Sequence, residues 1–201
     1  MLRNALPLLL AFSLAACGGG DNPDRRAPAF EILNDGGLTK TGESYQGTGV
    51  LRSNEALSSS QSDNNFRLRF SLNDGGSLTL VAHADRHLRN GIEIRFQRTG
   101  TDLSIFVRVA DRTVDWSEAF QEKSGIDASG EIVLSVDVHN GPTHHDYAHV
   151  LFWKNDEKDA FFDGAEDADG TPGKGRGDVW GLLLEDAVLM SKSVGPARDT
   201  H

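Results

Sequence analysis

The chain has 201 residues, 38% hydrophobic and 25% charged, with a formal net charge of -10 and one cysteine. That acidity excludes an electrostatic footprint for nucleic acid and gives no general attraction to anionic lipid. A lone cysteine excludes a disulfide framework, and the length suits one domain with tails.

Met1-Leu2-Arg3-Asn4 carries one positive charge, and an apolar run with one proline follows from Ala5 to Ala16. The run is shorter than the ~20 residues of a membrane-spanning helix and fits the hydrophobic region of a secretory signal. It ends in Leu14-Ala15-Ala16-Cys17, which resembles the bacterial lipobox. The resemblance implies a signal peptide over residues 1–16, cleavage before Cys17, lipidation of that cysteine and acylation of the new amino terminus. It also accounts for a single thiol in an exported chain. Gly18 follows where inner-membrane-retained lipoproteins carry Asp, so the resemblance implies a cell-envelope protein anchored in the outer membrane. The mature chain would have 185 residues and, having lost Arg3, a net charge of -11.

Residues 17–29, rich in Gly, Pro and charge, read as the lipidated cysteine and a flexible linker. From Phe30 to about residue 190 the dominant period is two. Phe66, Leu68, Phe70 and Leu72 alternate with polar residues, and Leu78, Leu80 and Ala82 resume the alternation. Between them Asn73-Asp74-Gly75-Gly76 predicts a hairpin turn. Asn90-Gly91 introduces Ile92, Ile94 and Phe96; Thr99-Gly100 introduces Leu103, Ile105 and Val107; Ser129-Gly130 introduces Ile132, Leu134, Val136 and Val138. Val150 and Phe152 mark another strand, and Trp180, Leu182 and Leu184 the last clear one. Asp115, with Glu118 three residues on, is an N-cap candidate for a short helix. Residues 191–201 lose the pattern and read as a disordered tail.

Seven or more strands without alternating helices predict an all-β antiparallel sandwich or barrel with at most one or two short helices. The strand order, with the runs Asn90–Phe96, Leu103–Val109 and Asp178–Val188, resembles the concanavalin A-like jelly roll of lectins and laminin-G domains. This likeness covers residues 45 to 190 and implies a fold that hosts lectins, enzymes and adhesion modules alike.

Catalytic motifs are sparse. The glucanases of that superfamily carry Glu-x-Asp-x-(x)-Glu on one strand, and no strand here has it; Glu93 stands among Ile and Arg. There is no Gly-x-Ser-x-Gly elbow and no phosphate-cradling Gly-x-x-x-x-Gly-Lys.

Two clusters remain. In the first, period two places His145, Tyr147, His149 and Trp153 on one face of a strand. These residues offer a sugar-stacking platform, with rings packing on pyranose faces and His and Asp binding hydroxyls. With His144 or Asp146 they offer a transition-metal site instead. The plainer reading, which comes ahead of both, is a solvent-exposed loop from His139 to His145 with Tyr147 and Trp153 packed beneath a neighbouring loop. The second cluster is an acidic, Gly-rich segment in which Asp163, Glu166, Asp167, Asp169 and Asp178 supply oxygen ligands of the kind Ca²⁺ takes. A solvated acidic loop would have the same composition. The expected function is a non-catalytic, lipid-anchored envelope lipoprotein that binds glycan. A structural or assembly lipoprotein binding another envelope protein is the alternative, and a carbohydrate-active enzyme is third. The membrane is the expected partner through the lipid, and nucleic acid is not a partner.

Overall fold

Alternating apolar residues from Phe30 onward are realised as antiparallel strands. The computed structural model describes residues 25–57, 63–109, 120–139, 147–154, 162–167 and 177–198. The strands are β1 (Phe30–Asp35), β2 (Thr39–Thr41), β3 (Ser44–Ser53), β4 (Asp63–Ala84), β5 (Ile92–Thr99) and β6 (Asp102–Val109). They continue with β7 (Phe120–Asp127), β8 (Ile132–His139), β9 (Tyr147–Lys154), β10 (Phe162–Asp167) and β11 (Val179–Pro196). Among the described residues there is no helix. Residues 115–119 of the expected helix lie outside them, and Phe120 already belongs to β7.

Asn73–Gly76 does not form a hairpin. It lies inside the 22-residue β4, which β11 accompanies from Asn64 to Ala84. Leu72 pairs with Ala187 and Ser77 with Glu185, so Asn73–Gly76 stands opposite Asp186. The unequal count makes a bulge, and a bulge bends the strand. Gly75 has φ 82° and Asp186 φ 52°, and Asn73 Nδ2 donates to Asp186 Oδ1 at 2.6 Å. The residue types that predict a turn serve a corner equally well; the long antiparallel partner decides between them.

At this corner β4 changes neighbours. Asp63–Phe70 pair with β8, whereas Ser77–Ala82 pair with β5. The ribbon of β4 and β11 folds over, and rings from the two layers it joins meet. Phe66 lies 5.1 Å from Trp180, and Phe70 lies 5.6 Å from Phe96. One layer therefore runs β1-β3-β11-β4-β5-β6-β7, and the other continues from the same ribbon through β8, β9 and β10. Between the layers sits one core that includes Leu51, Phe66, Leu68, Phe70, Leu80, Ile94, Phe96 and Phe152. Each large apolar side chain so buried contributes roughly 1.5–3 kcal/mol.

A smaller apolar cluster lies on the outer side of the seven-stranded layer, where Leu88 packs with Val81 and Ala84. The turn that delivers Leu88 is tied by Asp85 Oδ1, which accepts from the N–H groups of His87 (2.8 Å) and Arg89 (2.9 Å).

Residues 25–29 and 191–196 are more structured than the sequence pattern predicts. Arg26 and Val194 exchange backbone hydrogen bonds of 2.7 and 2.8 Å, and the Arg25 guanidinium bonds Ser193 Oγ and Asn65 Oδ1. Residues 25–29 of the expected linker therefore lie on the sandwich. The expected tail from residue 191 is instead strand as far as Pro196. Lys192 broke the apolar pattern there. It sits at a core-side position opposite Leu68, with its ammonium 5.2 Å from the Phe30 ring and 5.5 Å from the Tyr45 ring. It reaches Glu43 at 3.3 Å. Cation–π attraction and an ion pair replace the water it gives up.

Candidate functional site

The outer face of the seven-stranded layer carries ordered polar chemistry. Leu103, Ile105 and Val107 turn inward to the core, so alternation turns Ser104, Phe106 and Arg108 outward. In the β5–β6 register Glu93 faces Arg108, Arg95 faces Phe106, and Gln97 faces Ser104. Arg108 donates through Nε (2.8 Å) and Nη2 (2.6 Å) to Glu93 Oε2, and both residues are buried, at 8% and 1% exposure. Beside them Arg95 Nη2 donates to Glu185 Oε2 at 2.9 Å, and Ser77 Oγ donates to the same oxygen at 2.6 Å. The half-buried Phe106 ring thus sits among charged groups whose positions are fixed by each other. Planar apolar surface flanked by fixed donors and acceptors is what a polyhydroxylated ring requires.

The outer face of the other layer holds a second polar network. Asn65 Nδ2 donates to Ser135 Oγ (2.8 Å) and Asp137 Oδ1 (2.5 Å). Asp137 Oδ2 accepts from the Arg198 backbone N–H at 2.7 Å, and His139 Nε2 is 4.0 Å away from the same oxygen. Asn65, Asp137 and His139 are almost fully buried. Among the residues whose side chains are described, Glu93 and Asp137 are the buried carboxylates, and they lie on opposite outer faces. They cannot flank one scissile bond, as a pair of glycosidase carboxylates must.

The residues singled out from sequence are distributed unevenly. Tyr147 and His149 lie on β9, where Tyr147 pairs with Asp167 of β10 and His149 with both Ala165 of β10 and His139 of β8. The aromatic–histidine and acidic clusters, separate in sequence, are therefore neighbours in the ladder. His145 and Asp169 lie outside the described residues. Trp153 is 5% exposed, with the Arg198 guanidinium 4.7 Å over its ring. The chain itself caps that ring, so Trp153 offers a sugar no open face.

Asp163, Glu166 and Asp167 are on a strand rather than in a loop. Asp163 is four residues from Asp167, about 13 Å along an extended chain. Asp178 is exposed, and its carbonyl accepts from Leu57 N–H at 2.6 Å. Among the described residues no group of three or more His, Cys, Asp or Glu side chains gathers as a metal site.

The Glu93–Arg108 pair was missed from sequence, although a signal was present. Counting outward from the Gly100-Thr101 turn places Glu93 opposite Arg108.

No protein-family model matches the chain, and no curated protein matches it. Solved structures do. The exoplasmic/lumenal domain of VIP36 in its Ca²⁺/Man3GlcNAc-bound form aligns with TM-score 0.55 at 10% identity, over 89% of this chain and 90% of that one. The metal-free form of the same domain gives 0.54 at 13% identity, over 91% and 89%. Bacillus licheniformis β-glucanase gives 0.51 at 9% identity, over 84% and 87%. The chain has an all-β, antiparallel jelly-roll sandwich fold of the concanavalin A-like kind.

Proposed function

We propose that this protein is a lipid-anchored envelope lipoprotein whose sandwich binds glycan without catalysis. The observation that carries the reading is the outer face of the seven-stranded layer, where Phe106 is bracketed by the Glu93–Arg108 and Arg95–Glu185 pairs. A carboxylate oxygen that accepts two N–H groups of one arginine is held at a fixed position and orientation. Structural neighbours solved with Ca²⁺ and mannose oligosaccharide support a sugar ligand in this fold. His145, Tyr147 and His149 would contribute at the end where β8 and β9 meet. A Ca²⁺ ion there would draw on Asp167, Asp169 and Asp178. The outer-membrane lipid anchor rests on Leu14-Ala15-Ala16-Cys17.

The test is a glycan array followed by calorimetric titration of its best ligand on the domain beginning at Arg25. Phe106→Ala should weaken binding about tenfold or more, the equivalent of about 1.4 kcal/mol. Unchanged affinity in that variant removes the face from consideration.

A specific observation favours a second reading, an assembly lipoprotein that binds another envelope protein. Ile32 and Leu33 are the exposed large hydrophobic residues among those described, and both lie on the edge strand β1. An exposed edge invites strand addition. A bulge between Ile32 and Asn34 interrupts that edge, which blunts it.

A further inference from the structure

We propose that the Phe106 face selects neutral over acidic sugars, and that Glu185 is the residue that sets this selectivity. The inference rests on the glycan reading of that face and names the class of sugar it takes.

A sugar acid needs a cation beside the ring it stacks on, because a carboxylate drawn out of water without a partner is costly. The two guanidinium groups nearest Phe106 in the ladder are both committed elsewhere. Arg108, two residues along β6, gives Nε and Nη2 to Glu93, and the pair is buried. Arg95 stands directly opposite Phe106 on β5, yet its side chain is drawn the other way. Its Nη2 bonds Glu185 Oε2 at 2.9 Å, and Glu185 belongs to β11, with β4 between the two strands. Ser77 of β4 donates to the same oxygen at 2.6 Å, which places the end of the Arg95 side chain over β4. Ser77 is fully buried, and so nearly is Thr79, the β4 residue opposite Arg95. With strands about 4.8 Å apart, the backbone of Glu185 lies about 14 Å across the sheet from that of Phe106. Glu185 therefore holds the Arg95 guanidinium away from the ring.

What surrounds the ring is uncharged. Ser104 and Gln97 pair in the neighbouring row, both partly exposed, and Gln121 stands opposite Phe106 on β7. Hydroxyl and amide groups both donate and accept, as sugar hydroxyls do. Lys123, opposite Ser104, is the remaining cationic position on the outward side of β5, β6 and β7, and one row beyond it the exposed Asp102 and Asp127 pair. In a chain of net charge -10 the surrounding field opposes an anion. The Glu185 side chain is 59% exposed, so its contact with Arg95 is an exchangeable one. Without that carboxylate, Arg95 is released to pair with the carboxylate of a sugar acid, which a guanidinium binds through two parallel bonds.

The experiment uses an array of hexose oligosaccharides printed beside their uronate counterparts of the same linkage and length, in the gluco, galacto and manno series. The full chain in detergent is then titrated against the best pair. The neutral member should bind about tenfold or more tightly than the acid, and Glu185→Gln should narrow that ratio about tenfold. The double variant Glu185→Gln/Arg95→Gln should restore it, since the gain for the acid comes from Arg95. A uronate bound as well as its neutral counterpart, or better, by the unaltered chain overturns the selectivity. A ratio that stays put in Glu185→Gln, or moves equally in the double variant, overturns the role of Glu185. Absence of binding to every pair, or binding that Phe106→Ala leaves unchanged, overturns the glycan reading of the face and this inference with it.

Discussion

Arg108 and Glu93 form a two-bond ion pair on adjacent strands of the seven-stranded layer, at 2.6 and 2.8 Å, with both residues almost fully buried. Burying two charges costs several kcal/mol each unless geometry and hydrogen bonding repay it, and removing one partner leaves the other charge stranded. Arg108→Met should therefore destabilise the domain by about 3–5 kcal/mol. The double variant Glu93→Leu/Arg108→Met should be less damaged than either single one. Urea unfolding of all four proteins measures the coupling, and strictly additive losses would show that the pair is not a unit.

The corner of β4 separates backbone strain from packing. Gly75 has φ 82° and open space around it, and Gly130 has open space without a positive φ. Alanine at position 75 should cost about 1–2 kcal/mol, since the left-handed conformation alone opposes it. Alanine at position 130 should be neutral or stabilise by roughly 0.4–1 kcal/mol through the unfolded chain. Equal effects at the two sites would mean that the corner does not depend on the conformation of Gly75.

The hairpin β5–β6 was legible because its alternation is clean and Thr99-Gly100 marks its turn. The corner was not, because Asn, Asp and Gly serve bulges and turns alike, and the deciding partner lies more than 100 residues away at Glu185–Ala187. Lys192 hid the end of β11 because its burial is compensated by Phe30, Tyr45 and Glu43, residues that no local pattern connects to it. The aromatic stripe at Tyr147 and Trp153 was correctly placed on a strand, but the cap on Trp153 comes from Arg198, beyond the apparent end of the domain. Sequence spacing identified which residues share a face and could not show which faces the rest of the chain covers.

Gly181 is required by close approach rather than by φ. An added Cβ would collide with the carbonyl of Leu51 and lie 2.5 Å from Leu88 Cδ1. The backbone oxygen belongs to the β3–β11 ladder and cannot swing aside. Gly181→Ala should therefore cost about 1–3 kcal/mol, the usual range for overpacking. Adding Leu88→Ala should recover little of it, because the carbonyl remains. Full recovery in the double variant would identify Leu88 as the sole obstacle.

Asp127 supplies a pH-dependent contribution with a defined sign. The Ser129 hydroxyl and backbone N–H hydrogen-bond its carboxylate, and Arg98 and Lys154 add a favourable field, so its pKa is lowered from the ordinary value of 3.8. A carboxyl whose pKa is lower folded than unfolded binds fewer protons in the native state. Its stabilisation is complete above the unfolded pKa and is lost as pH falls through the folded one. The side chain is solvent-exposed, so salt should weaken the contribution of Arg98 and Lys154 more than that of Ser129. Carboxyl NMR titration should find Asp127 below the normal Asp range, and Ser129→Ala should move it upward. Wild type and Ser129→Ala should then differ in stability near neutral pH and converge once pH falls below both carboxyl values. A gap that persists at low pH would place the effect of Ser129 in the turn itself rather than in the charge of Asp127.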